Sequence, residues 1–159
     1  MATTNLSAKS AKAFKGLSKK HFAIVVSEWN DSVTEALYSG AYQTLRDYGV
    51  PKENIIRKNV PGSFELSLGG QYMAAKKDID AVICLGCVIQ GETRHFDFIC
   101  QAVADGITQV SLKFNKPVIF GVLTPDTQQQ ALDRAGGKHG NKGDEAAITA
   151  IKMLGEFTA

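Results

Sequence analysis

Residues 82–101 read VICLGCVIQGETRHFDFICQ, and the way this stretch changes character decides the fold. Val82 to Cys87 is an unbroken apolar run, the pattern of a strand buried on both faces. Gln90-Gly91-Glu92-Thr93-Arg94 follows as a short polar turn. From His95 onward, Ile99, Val103, Gly106 with Ile107, Val110 and Phe114 recur at helical spacing. A strand that feeds a helix through a glycine-containing turn collects free backbone N–H groups and the positive end of a helix dipole at one point. In α/β proteins anionic ligands bind there.

Working outward, the same alternation repeats. Phe22 to Ser27 reads as a strand, and Asn30 or Asp31 is placed to cap a helix carrying Val33, Leu37, Ala41, Thr44, Leu45 and Tyr48. Gly49-Val50-Pro51 stops that helix. Ile55 to Val60 is a second strand ended by Pro61-Gly62, after which Phe64, Leu68, Tyr72 and Ala75 resume helical spacing. Asp80 to Cys87 is the third strand and Val118 to Leu123 the fourth. Asp126 is placed to cap a short helix reaching about Arg134, residues 136–143 form a glycine-rich loop, and a last helix runs from about Asp144 to Phe157. Strands that alternate with helices, each an apolar run, predict an α/β three-layer sandwich: a four-stranded parallel sheet flanked by helices on both faces. Residues 21–159 form one such domain, with no internal repeat.

Composition narrows the function classes. A chain of 159 residues is enough for one domain and buries roughly 70% of its unfolded surface, so it needs no covalent staples. A net charge of +2 is too small to make nucleic acid or a membrane surface the main partner. No apolar run approaches the roughly 18 residues of a membrane span. The three cysteines, Cys84, Cys87 and Cys100, are an odd number, which argues against a disulfide framework and for a reducing, cytoplasmic compartment. On a strand, Cys84 and Cys87 point to opposite faces, against a redox or metal pair. His21, His95 and His139 lack metal-ligand spacing with them, so no metal is inferred. The first twenty residues carry five lysines, no acid and no apolar core segment. They read as a flexible N-terminal arm rather than a secretory signal, with docking on a neighbouring subunit as the sharper reading.

Ligands in parallel sheets sit beyond the carboxyl ends of the strands. Four segments converge there: Ser27–Asn30, Val60–Glu65, Cys87–His95 and Thr124–Thr127. Each of their notable residues has an ordinary reading beside a chemical one. Gly91 to His95 can cradle an anion through backbone N–H groups or be a helix cap built on Thr93. His95 can move protons near neutral pH or merely pack in the first turn. Asp97, two residues on, does not face it. Trp29 can stack on a heterocycle or belong to the core. Glu65 can meet hydroxyls or complement a helix dipole. Arg134 can grip a phosphate or do the same at a helix C-terminus. The glycine-rich loop is not a phosphate-binding P-loop, because Lys138 is followed by His139, and no dinucleotide fingerprint occurs.

Five pieces in this order and spacing resemble the 6,7-dimethyl-8-ribityllumazine synthase family. They are Glu28-Trp29-Asn30; Val60-Pro61-Gly62-Ser63-Phe64-Glu65; Gly86 to Phe96; Val118 to Thr124; and Gln130 to Gly136 running on to Gly140-Asn141-Lys142-Gly143. The resemblance covers the chain from about residue 20. It implies condensation of 5-amino-6-(D-ribitylamino)uracil with 3,4-dihydroxy-2-butanone 4-phosphate, the penultimate step of riboflavin biosynthesis, with neither metal nor organic cofactor. It implies that Trp29 and Phe120 flank the pyrimidine. Asn30, Ser63, Phe64 and Glu65 would meet the pyrimidine or ribityl chain, and Cys87, Val88 and Ile89 would add backbone contacts. Glu92, Thr93 and Arg134 would hold the phosphate, with His95 the proton shuttle. For Lys142 the resemblance leaves a ligand contact and a loop role open. Cys87 stands where many members have Thr, Gln90 where many have Arg or Lys, and Trp29 where Phe is common. The resemblance further implies pentamers with shared active sites, in some members a sixty-subunit icosahedral shell, and riboflavin synthase as a partner. The alternative is a flavodoxin-like protein that binds a flavin or another phosphorylated ligand without chemistry, or a purely structural shell protein.

Overall fold

The computed structural model of the protein describes residues 12–158. Its four long strands are β1 (Phe22–Ser27), β2 (Ile55–Val60), β3 (Ala81–Cys87) and β4 (Val118–Leu123). They pair in parallel in the order β2-β1-β3-β4, with Phe22 opposite both Ile55 and Ala81, and Val82 opposite Val118. Every residue of β1 and β3 is buried. An unbroken apolar run is the only kind of strand that can sit in a layer covered on both sides.

The helices divide between the two faces. α1 (Asp31–Asp47) and α5 (Lys142–Thr158) cover one face, packing Leu37, Leu45, Ile151 and Leu154 against Phe22, Ile24, Ile83 and Leu85. α2 (Leu66–Ala74) and α3 (His95–Phe114) cover the other, packing Leu66, Met73, Val103 and Ile107 against Ala23, Val25, Val82 and Cys84. Cys84 and Cys87 therefore belong to opposite layers, as the period of two in a strand requires. Between β4 and α5 lie α4 (Gln128–Asp133) and a small antiparallel hairpin, β5 (Ala135–Gly137) with β6 (Gly140–Asn141). The expected glycine-rich loop is this hairpin; Gly136 and Gly140 supply its positive φ angles of 104° and 80°. Asn141 anchors the hairpin to α1 by donating from Nδ2 to the Ala36 carbonyl at 2.9 Å.

Three local expectations are corrected. Thr127, not Asp126, caps α4: its Oγ1 accepts from the Gln130 N–H at 3.2 Å, while the Asp126 N–H donates to the Gln130 side chain at 2.8 Å. In the helix after β2, Phe64 lies in a 3-10 turn over Ser63–Glu65, and Leu68 and Tyr72 face outward at 51% and 63% exposure. The face toward the sheet is Leu66, Gly70, Met73 and Ala74. The N-terminal arm does not reach residue 20. Leu17 is buried, and Lys20 pairs with Asp80 at 3.0 Å, so this part joins the body of the domain. The first eleven residues of the expected arm lie outside the described residues.

The α1–α5 contact depends on two small positions. A Cβ on Gly40 would lie 2.3 Å from Asp144 Oδ1, and one on Gly143 would lie 1.9 Å from the Leu37 carbonyl oxygen. The second obstacle is backbone and cannot swing away. Gly143→Ala is expected to cost about 1–3 kcal/mol through forced separation of the two helices; urea unfolding checks this, and an unchanged midpoint would refute the close contact.

Candidate active site

The order of the strands places the site. From β1 the chain passes through α1 to β2 on one side, then crosses through α2 to β3 on the other side of β1. Connections leaving β1 and β3 in opposite directions part at the carboxyl end of the sheet and leave a crevice. An open, mostly apolar cavity of about 580 Å³ occupies it, a size that accepts a small ligand. Trp29 and Asn30 enter from the end of β1, Pro61 to Glu65 from the end of β2, Cys87 to Ile89 from the end of β3, and His95 and Ile99 from the start of α3.

Trp29 is held by its backbone. The β1–β2 ladder continues past the strand ends, with the Glu28 N–H on the Val60 carbonyl at 2.9 Å and the Trp29 N–H on the Pro61 carbonyl at 3.2 Å. The ring itself is 74% exposed. A tryptophan fixed at its backbone and bare at its ring is available for stacking rather than committed to the core. Asn30 adopts a left-handed conformation at φ 59°, which its residue type tolerates. Its Nδ2 donates to the Cys87 carbonyl at 3.0 Å, so the ends of β1 and β3 are tied together by a cavity residue. That side chain does not cap α1, although Asn30 stands at the capping position.

After β2, the Glu65 carboxylate folds back and accepts from the Gly62 N–H at 3.0 Å, which fixes the turn bearing Ser63 and Phe64. Phe64 is half exposed, and Ser63 is buried with its Oγ unpartnered. Gly86 on β3 makes this turn possible, since a Cβ there would stand 2.5 Å from Ser63 Oγ. That hydroxyl is turned inward toward β3 and is closed off from the cavity, and leaving it unpaired there costs about 1–3 kcal/mol.

The turn before α3 is open. The amides of Gly91, Glu92, Thr93 and Arg94 donate to no protein acceptor. Thr93 Oγ1 accepts from the His95 N–H at 3.4 Å, a long contact that makes only a weak cap. The Glu92 and Thr93 side chains are exposed and lie outside the cavity wall, which begins at His95. The arrangement is a cluster of free N–H groups at the positive end of a twenty-residue helix, beside an imidazole. Asp97 does not address that imidazole; its carboxylate pairs with Arg94 at 3.7 Å.

Besides Glu92 and Thr93, three more expected site residues, Phe120, Arg134 and Lys142, do not line this cavity. Phe120 lies in mid-β4, opposite Cys84, half-buried against the α2–α3 layer. Arg134 and Lys142 meet at Glu145 of α5, and the Thr124–Thr127 segment also stays out of the wall. Ile99 packs against the core, as its place on the apolar stripe of α3 predicts, and it also lines the cavity. Its position four residues after His95 on one helix face was the available signal.

A family model described as 6,7-dimethyl-8-ribityllumazine synthase matches residues 19–157. The chain is 68% identical over 155 residues to the 6,7-dimethyl-8-ribityllumazine synthase of Cytophaga hutchinsonii, covering 98% of this chain and 97% of that one. It is 53% identical over 156 residues to the protein of the same name from Parabacteroides distasonis, with 97% and 98% covered. With that of Flavobacterium johnsoniae it shares 54% over 155 residues, covering 96% of this chain and 82% of the other.

Burial pushes the Cys87 thiol in the wall up to about 11, with nearby Cys100 adding to the shift, and burial alone pushes Cys84 up to about 12. A raised thiol value favours the protonated form, so this contribution to stability is fully present below the ordinary thiol value and is lost as pH rises from there through the folded value. The raised value keeps Cys87 protonated near neutral pH, which leaves it a poor nucleophile. Iodoacetamide is expected to label the half-buried Cys100 first and Cys87 far more slowly, read by peptide mass spectrometry; rapid labelling of Cys87 would contradict the buried placement.

Proposed function

The chain belongs to the 6,7-dimethyl-8-ribityllumazine synthase family, and we propose that the cavity at the carboxyl edge of its sheet is where its reaction takes place. The enzyme, a transferase, condenses 5-amino-6-(D-ribitylamino)uracil with 3,4-dihydroxy-2-butanone 4-phosphate to give 6,7-dimethyl-8-ribityllumazine, phosphate and water. The family match leaves the reading as a non-catalytic binder without support.

The observation that carries the assignment is His95 in one wall with Trp29, a single turn from the free amides of residues 91–94. In this reaction an amine attacks a ketone, and phosphate must then leave. Departure of phosphate needs a base near the carbon acid and stabilisation of the charge on the leaving group. In the proposed arrangement the imidazole of His95 takes and returns the proton. The amides of Glu92 and Thr93 receive the phosphate oxygens, so the Glu92 side chain need not oppose the charge. Trp29 stacks on the pyrimidine. Asn30, Ser63, Phe64 and Glu65 border the ring and the ribityl chain, with backbone groups of Cys87, Val88 and Ile89 completing the bed. Gln90 is neutral where many members carry a cation; its side chain turns onto the Gly91 carbonyl at 2.9 Å, away from anion binding. Holding two substrates face to face removes much of a bimolecular barrier.

The proposal extends to assembly. Phe120, Arg134 and Lys142 serve the cavity of a neighbouring subunit in a pentamer, Phe120 against the pyrimidine and Arg134 on the phosphate. Their absence from the wall of their own chain supports this. So do Leu68 and Tyr72 on α2 and Phe98 and Leu112 on α3, all more than half exposed; apolar side chains left on the outer face of a helix layer are typical of interfaces. Twelve pentamers closing into an icosahedral shell is the larger assembly that the resemblance implies for some members. Riboflavin synthase is the partner expected to use the product. Cytoplasmic location is supported by three unpaired thiols. No described helix is long and apolar enough to cross a membrane.

His95→Ala is expected to slow turnover about 10- to 10⁴-fold while pyrimidine binding, measured by fluorescence titration, stays close to that of the parent. Full retained activity would remove the role. Shared sites make a second prediction. Co-expression of His95→Ala with Arg134→Ala chains should restore activity at about a quarter of the cavities, because random mixing pairs an intact His95 with a neighbour's intact Arg134 that often. Mixed assemblies no more active than either parent would place both residues in one subunit's site.

A further inference from the structure

Among the described residues only two acids are buried, Asp133 and Glu145. Asp133 is accounted for by its own turn, where it pairs with Lys138 at 3.0 Å and accepts from Gln129 at 3.0 Å. Glu145 is 4% exposed, and its two oxygens are divided between two cations from different elements. Oε1 accepts from Arg134 Nη2 at 2.8 Å, and Oε2 accepts from Lys142 Nζ at 3.2 Å. Arg134 is fixed at a second point, where Nη1 donates to the His139 carbonyl at 2.6 Å. The side chains of Arg134 and Lys142 remain 31% and 29% exposed, so both cations reach the surface from a buried anchor.

We propose that Glu145 is a positioning residue for the phosphate-bearing substrate: it holds Arg134 and Lys142 together in one preset arrangement, with Lys142 as the second cation of that subsite. The inference rests on the reading of Arg134 as a phosphate ligand. Arginine and lysine lose much side-chain freedom when they grip an anion, and that loss weakens binding. A carboxylate that has already ordered both removes the loss from the binding step. The triad keeps a formal charge of +1, enough to favour a phosphate dianion. Glu145 and His139 occupy two of the five N–H donors of the guanidinium, leaving the others for a ligand. Glu145 is itself favoured where it stands, in the first turn of α5, by the dipole of that helix. For Lys142 this proposal takes the ligand-contact reading over the loop role, because the lysine shares its anchor with the phosphate arginine.

Steady-state kinetics on the full-length Glu145→Gln assembly tests this, varying each substrate in turn. Loss of the ionic anchor is expected to raise KM for 3,4-dihydroxy-2-butanone 4-phosphate about tenfold, with KM for the pyrimidine unchanged within about twofold. An unchanged or lowered KM for the phosphate substrate overturns the proposal. The first outcome would make Glu145 a structural tie, and the second a competitor that screens the cations. A loss confined to kcat, or an equal rise in both KM values, overturns it as well. Should Glu145→Gln fail to assemble, Glu145→Asp keeps the charge but is too short to reach both cations, and the same rise or its absence decides. Arg134→Ala run in parallel keeps the two readings apart. If it leaves the phosphate-substrate KM unchanged, the assignment of Arg134 fails; if it raises KM while the Glu145 variant does not, only the role of Glu145 fails.

Discussion

Parallel pairing of β1 with β3 at the centre of the sheet is the constraint on which the rest of the molecule depends. The two strands are neighbours in space but are separated in sequence by α1, β2 and α2. Because right-handed crossovers to opposite sides put their helices on opposite faces, α1 must lie on one face and α2 and α3 on the other. The loops leaving β1 and β3 therefore diverge, and the crevice between them is a product of topology rather than of any one side chain. Complete burial of both strands fixes this pairing, since a slip of one residue would exchange the sets facing the two helix layers.

Within the crevice, work is divided between two kinds of group. Side chains such as Trp29 and Phe64 offer area for a ring. In the proposed arrangement the groups facing the leaving phosphate are backbone amides, which carry no counter-charge to be displaced and need no rotamer to be frozen. Side-chain cations enter by a separate route, through the cluster of Arg134 and Lys142 on Glu145. Long cationic side chains are ordered by a buried acid; short amides are ordered by the turn itself. Both devices do their ordering before a substrate arrives.

The sequence made most of the fold legible because period and punctuation act locally. Cys84 and Cys87 could be assigned to opposite faces from spacing alone, and Gly49-Val50-Pro51 marked a helix end by the conformations those residues allow. Where reading failed, a different force decided. Leu68 and Tyr72 look like core because an apolar residue on the outward face of a helix can have the same periodicity as one facing a sheet. Thr127 and Asp126 are adjacent and equally able to cap, and the extended backbone at Thr127 made the choice. Phe120 and Arg134 are named as site residues by the resemblance alone, and nothing in a linear order tells that the fold keeps both out of the cavity wall of their own chain. Glu145 went unnoticed because an acid in the first turn of a helix is the commonest place for one, and only burial reveals its two partners.

The account stands most directly on where the two substrates bind. A crystal structure of the assembled protein with the pyrimidine substrate and inorganic phosphate would show this in one measurement. The account predicts the pyrimidine ring stacked on Trp29 and the phosphate on the amides of Glu92 and Thr93, with the His95 imidazole between them and Arg134 approaching from the next subunit. A ring bound away from the Trp29 cavity, or phosphate held by side chains elsewhere while the amides of residues 91–94 stay free, would contradict it.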